Sequence, residues 1–216
     1  MSDILEVGLE KLGLPKDVIT DICPKMEKYI NEIILFNSAY NLTNTSDHDE
    51  LVVRHILDSL AGYTAINSLI SNAAEITIGD IGSGGGLPGI PLAAAFPQVQ
   101  FRLVERMAKR CAFLENCAAL LGLKNVQVSN SEAEKVPAEC FDLVTFRAFR
   151  PLDEKMTKTL LRMTKTGGKL VAYKAKMESI TEEMNGIKNL VPEYEVVKLE
   201  VPGLEDSERN LVVITK

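Results

Sequence analysis

Ile78-Gly79-Asp80-Ile81-Gly82-Ser83-Gly84-Gly85-Gly86-Leu87-Pro88-Gly89-Ile90 decides the fold. An apolar strand over 75–81 runs into a glycine loop. A helix follows, and its first turn can hold Pro88. Glycines permit positive φ and let backbone approach a ligand closely. The helix start adds N–H groups with no partner in the helix. Together these build a nucleotide-type pocket at the carboxyl edge of the first strand. Glu105, 21 residues after Gly84, ends a second strand, where a carboxylate accepts bonds from ribose hydroxyls. The competing reading is a glycine-rich turn used only for packing.

Outward from the loop, the rhythm from residue 75 on is strand-helix alternation. Apolar runs fall at 75–81, 99–104, 126–128, 141–146, 168–173, 194–199 and 211–215, with helical patterns separating the first six. The clearest helix covers 107–121, with a stripe at 107, 111, 114, 118 and 121 and a stop at Gly122. This alternation predicts an α/β fold with a mostly parallel seven-stranded sheet covered on both faces. The last two runs are joined by 200–210, which carries Pro202 and Gly203 but no helical pattern, so they form a C-terminal antiparallel pair. Residues 1–74 read instead as helices. One spans 17–40, kinked or split at Pro24. A polar break at 41–46 precedes a helix capped by Ser46 or Asp47, on which Arg54, His55 and Asp58 share the side opposite an apolar stripe. The domain division is therefore a helical extension, 1–74, and an α/β domain, 75–216.

The chain has 216 residues, 46% hydrophobic and 25% charged, which excludes a disordered chain, a collagen-like repeat and a membrane bundle. No apolar run approaches the ~20 residues of a membrane span. The acidic N-terminus lacks the features of a secretory signal. The four cysteines show no CxxC pair and no zinc spacing, so no metal is expected; they read as reduced thiols in a cytoplasmic protein. Cys111 and Cys117 read as small core residues. The net charge is -6, but residues 102–176 hold 15 Lys/Arg against 8 Asp/Glu. A basic middle between acidic ends presents one anion-binding face, or else simply solvates helix faces.

Gly84-x-Gly86-x-x-Gly89 also fits the dinucleotide fingerprint, which makes a nicotinamide oxidoreductase the alternative; a nucleotide-binding regulator without chemistry is a third. Asp80 favours S-adenosylmethionine. A carboxylate beside the loop suits an ammonium or sulfonium and repels a pyrophosphate. The antiparallel strand ending, and the lack of a second catalytic domain for a hydride acceptor, favour it too.

Asn41-Leu-Thr, Arg54-His-Ile-Leu-Asp-Ser59, the loop from Asp80 to Pro91, Lys109-Arg110, Phe146-Arg-Ala-Phe149 and Tyr173-Lys174 occur in that order. Over roughly residues 30–175 the chain resembles the RsmG (GidB) family of bacterial small-subunit ribosomal RNA methyltransferases. The resemblance implies a class I, Rossmann-like methyltransferase fold. It implies methyl transfer from S-adenosylmethionine to N7 of a guanine in small-subunit ribosomal RNA, within a ribosomal subunit or assembly intermediate. It places cofactor contacts at Gly82, Leu87, Ala133, Glu134 and Arg147. Many relatives carry Asp where this chain has Glu105, and Arg where it has Glu132.

Guanine N7 has a free lone pair and no proton, so its methylation needs alignment rather than a general base. Arg147, at the carboxyl end of a central strand, is the candidate catalytic group. Its guanidinium can hold guanine O6, a phosphate or the cofactor carboxylate. Lys174 either contacts a phosphate or base edge or is a solvated lysine. His55 either donates to RNA or shapes the pocket roof, and Asn41 either bonds a base or caps the loop after its helix. Lys109, Arg110, Arg147, Arg150, Lys174 and Lys176 are expected to carry RNA-facing charge. Phe146 and Phe149 are core residues or stack on a splayed guanine. No apolar seam calls for more than a monomer.

Overall fold

Residues alternate between two apolar clusters along every central strand, and this alternation organises the molecule. The computed structural model describes residues 3–70, 75–148 and 150–216. Its strands are β1 (Thr77–Ile81), β2 (Gln100–Glu105), β3 (Val126–Asn130), β4 (Phe141–Arg147), β5 (Thr164–Lys174), β6 (Glu195–Leu199) and β7 (Arg209–Thr215). They form one sheet in the order β3-β2-β1-β4-β5-β7-β6. The pairs from β3 to β5 are parallel, and β7 lies antiparallel to both β5 and β6. This is the expected α/β architecture with its antiparallel ending. The last strand inserts between the two before it, an order that strand spacing does not encode.

On one face, Ile78, Leu103, Leu143, Val171 and Leu211 pack with the helices α1 (Asp3–Lys11), α2 (Lys16–Tyr40), α5 (Tyr63–Ile70), α6 (Gly89–Ala95) and α7 (Ala108–Leu120). On the other, Ile81, Val104, Val144, Leu170 and Val212 meet α8 (Glu154–Met163) and α9 (Met177–Gly186). The N-terminal helices thus share their apolar cluster with the sheet: Leu5, Leu9, Ile30 and Ile33 belong to the same cluster as the strand residues.

Several expectations are corrected. α2 runs unbroken from Lys16 to Tyr40 with Pro24 inside it. Asp47, not Ser46, caps α3 (His48–Leu51), accepting from the Glu50 N–H. The next turns, Val52–Leu57, are π-helical and close with the short α4 (Asp58–Leu60). Between β3 and β4 lies a single 3-10 turn, Ala133–Lys135, rather than a helix. On α7 the buried residues are Cys111, Phe113, Leu114 and Cys117, whereas Met107 is exposed. Met107 is the N-cap, ahead of the first helical residue, and Phe113 is buried beside the predicted stripe. Both cysteines are core, as expected.

Gly79 shows how tightly the central strands are set. A Cβ there would stand 2.6 Å from two ring carbons of the fully buried Phe141. Gly79→Ala should cost about 1–3 kcal/mol through overpacking. Thermal unfolding should register a fall of roughly 2–4 °C per kcal/mol for a chain of this size. An unchanged midpoint would mean that Phe141 swings clear.

Candidate active site

Two cavities open side by side at the carboxyl ends of the strands. The loop-side cavity, about 660 Å³, is lined by Gly82, Glu105, Arg110, Ser131, Glu132, Glu134 and Lys155, among others. The arginine cavity, about 580 Å³, is lined by Arg54, His55, Asp58, Phe146, Arg147, Tyr173, Lys174 and Arg209. Ala148 and Arg150 line both. Ala148, at φ 50°, holds a left-handed conformation that residues other than glycine seldom adopt.

The glycine loop is tied to β2. The N–H groups of Gly82 and Ser83 both donate to the Val104 carbonyl, at 2.9 and 3.1 Å. The Gly84 N–H donates to Glu105 Oε2 at 3.0 Å, and the Met107 N–H to Glu105 Oε1 at 2.8 Å. Each Glu105 oxygen keeps acceptor capacity toward the cavity, since a carboxylate offers about four lone-pair sites. Gly86, at φ 91°, has no room for a side chain. A Cβ there would meet Ile90, Leu114 and the Tyr29 hydroxyl within 3 Å, and that hydroxyl donates to the Gly85 carbonyl.

Asp80 lies beneath this loop and outside the cavity lining. Its Oδ2 accepts from the Gly89 N–H at 3.2 Å, while Oδ1 is buried with no partner among the described residues. Burial pushes the carboxyl up to about 7, against the opposing pull of Ser83, the Gly89 N–H and Arg147. A buried acceptor without a partner, under a loop of αL glycines, fits a ligand that brings positive charge to the loop.

In the second cavity one carboxylate holds two arginines. Asp58 Oδ2 accepts from Arg147 Nη1 at 2.6 Å, and Oδ1 from Arg209 Nε at 2.9 Å. Arg147 Nη1 also donates to the Arg54 carbonyl at 3.3 Å, and its Nη2 meets His55 Nδ1 at 3.1 Å. Burial and then the Arg147 charge hold the His55 ring down to about 4, so it is neutral at physiological pH. Lys174 pairs with Glu183 at 2.6 Å and sits over the Phe146 ring, so it is not a solvated lysine. Glu183 Oε2 also accepts the Leu152 N–H, tying α9 to the segment that follows the shared wall.

The structure therefore brings together Gly82, Glu105 and Glu134 in one cavity and His55, Arg147 and Lys174 in the other. Arg147 does not line the loop-side cavity. Gly84, Leu87 and Ala133 are not among the lining residues of either cavity. Asn41 is an exposed left-handed cap on α2, outside both cavities, with its carbonyl accepting from Arg110. The loop after it is organised by Asn37, whose Oδ1 accepts the N–H groups of Leu42 and Thr43. Four of the side chains expected to carry RNA-facing charge have partners within the chain. Arg147 and Lys174 are ion-paired, and Lys109 and Arg110 bond the carbonyls of Ala39 and Asn41. Phe146 is core, at 1% exposure, and Phe149 lies outside the described residues. Sequence reasoning missed Arg209 and Glu183. Neither sits in a local pattern, and only the sheet order brings them to the cavity.

A family model described as rRNA small subunit methyltransferase G, GidB, matches residues 22–212. The chain belongs to this family. Similar proteins include the ribosomal RNA small subunit methyltransferase G of Treponema denticola, 41% identical over 99% of this chain and 94% of that protein. The protein of the same name from Hydrogenovibrio crunogenus is 38% identical over 98% and 93%. Among solved structures, a tRNA (m1A58) methyltransferase from Aquifex aeolicus superposes with a TM-score of 0.58 at 16% identity, covering 73% of this chain and 68% of that one. A SAM-dependent methyltransferase from the same organism gives 0.54 at 17%, covering 74% and 93%. At such identities these two likenesses show the fold alone, and it is the class I methyltransferase fold the sequence implied. No described helix is long and apolar enough to cross a membrane.

Proposed function

We propose that this member of the GidB family transfers a methyl group from S-adenosylmethionine to N7 of a guanine in small-subunit ribosomal RNA. The observation that carries the reading is the pair of adjoining cavities, one built on the glycine loop, the other on arginines, with Ala148 and Arg150 between them. In this reading residues 1–74 form the extension and 75–216 the transferase domain, and the protein acts as a cytoplasmic monomer on a ribosomal subunit or its precursor.

S-adenosylmethionine supplies an electrophilic methyl on a cationic sulfur. Gly82, Glu105 and Glu134 would hold it, with Asp80 beneath the loop balancing its charge. Gly84 holds Glu105 in place, and Leu87 and Ala133 shape the loop and the turn. His55, Arg147, Lys174 and Arg209 would hold the base. N7 carries a lone pair and no proton, so these residues need only align the base and tolerate charge arriving on the purine. Asn41 and its loop support the RNA from outside the cavities. The acidic overall balance suits a substrate surface partly made of protein.

Incubation with labelled S-adenosylmethionine and methyl-deficient small subunits should label one guanine at N7, mapped by cleavage at the modified base. No transfer to any RNA, or transfer to another atom, would overturn the reading.

A further inference from the structure

Among its described side chains the arginine cavity presents mostly hydrogen-bond donors, and its one carboxylate is already held by two arginines. Arg147, Arg209, Arg54 and Lys174 are donors only. Asp58 is the one carboxylate in the lining, and each of its oxygens already receives an arginine N–H. The Tyr173 hydroxyl donates to the Ser59 carbonyl. His55 is the group whose role depends on its tautomer, and its neighbour sets it. The Arg147 guanidinium, 3.1 Å from Nδ1, has only N–H to give, so Nδ1 must accept and the ring proton must sit on Nε2.

We infer that this cavity reads the O6/N7 edge of a purine through donors alone, with His55, locked as its Nε2–H form by Arg147, as a specificity-determining residue. Guanine presents two acceptors on that edge. Adenine presents the N6 amino group beside N7, a donor that would face donors. The donors must serve O6, because one aimed at N7 would occupy the reacting lone pair. The inference rests on the methyl-transfer reading and deepens it: the base is chosen by a carbonyl at position 6, and its 2-amino group goes unread.

The test uses small subunits whose RNA carries, at the mapped position, guanine, hypoxanthine, 2-aminopurine or adenine, introduced by ligating a synthetic fragment. Hypoxanthine keeps O6 and N7 but lacks the 2-amino group; 2-aminopurine keeps the amino group and N7 but lacks O6. Guanine and hypoxanthine should react at rates within about threefold of each other, since a group left unread in both states adds nothing to discrimination. 2-Aminopurine and adenine should be slower by about 10²-fold or more, because they leave buried donors unpaired. His55→Leu should slow guanine and narrow the guanine to 2-aminopurine ratio by at least about tenfold, with cofactor affinity and melting temperature as controls. A purely structural histidine would lower both rates and leave that ratio alone. Slow hypoxanthine, fast 2-aminopurine or an unmoved ratio would each overturn the inference while leaving the methyl-transfer reading intact. A wild-type protein that fails to methylate the guanine subunits would overturn both.

Discussion

Arg147→Ala is expected to lower methyl transfer by roughly 10²–10³-fold, the range for removing one preorganised donor from a reacting centre. Three contacts lock this guanidinium: Asp58, the Arg54 carbonyl and His55. Removing it leaves Asp58 with Arg209 alone and frees His55 to change tautomer, so two further groups lose their alignment. Arg147→Lys should not rescue turnover, because a single ammonium cannot span Asp58 and His55 as the planar fork does. The substitution also tests stability. Breaking a buried pair by removing one partner costs about 3–5 kcal/mol when the other is left alone. Asp58 keeps a second arginine, so the loss should be smaller and the variant should stay folded at assay temperature. Calorimetry with S-adenosylmethionine then assigns the residue. Arg147 lines the base-side cavity, so cofactor affinity should hold while the catalytic rate falls. Affinity lost together with turnover would move Arg147 to the cofactor, and unchanged turnover would remove it from the site.

The sequence reveals what is local. The glycine loop, Glu105 at the end of β2 and Arg147 at the end of β4 are each legible because a strand terminus fixes where the residue emerges. The π-helical run at 52–57 is not legible, since a period of 3.6 and one of 4.4 pick out nearly the same face over a single turn. His55 and Asp58 fall on that face either way, so the right residues follow from an incomplete local geometry. Arg209 is invisible for another reason. It belongs to the cavity because β7 slots between β5 and β6, bringing it to Asp58, 151 positions away. Strand order is a tertiary choice that no short motif encodes. Asp80 is legible as a position in the chain but not in depth. A carboxylate written beside a glycine loop says nothing of whether it faces the cavity or lies beneath it.

That depth gives the other large prediction, in which stability and binding move in opposite directions. Asp80 titrates at about 7 in the folded chain against 3.8 unfolded. Between those values the folded state binds the extra proton. Stability is therefore full below about pH 4 and falls as pH rises through 7. At pH 8 the protein carries a buried charge that Asp80→Asn removes. The amide can still accept from the Gly89 N–H, but its own NH₂ then occupies the unpartnered position, costing about 1–3 kcal/mol. A shift of this size is worth about 4 kcal/mol at 1.36 kcal/mol per pKa unit, so a net gain of about 1–3 kcal/mol remains. The variant should melt higher than the wild type at pH 8, with the gap closing toward pH 4. Its affinity for S-adenosylmethionine should fall by roughly 10–100-fold, the size of a charge–charge attraction of about 1.5–3 kcal/mol across several ångströms at an effective dielectric near 20. The wild type should bind more tightly as pH rises to about 7 and then level, because a cation favours the ionised carboxylate; Asp80→Asn should show no such slope. A variant that is both more stable and as tight a binder would show that Asp80 merely anchors the start of α6. The charge-balancing role beneath the glycine loop would then have to be given up.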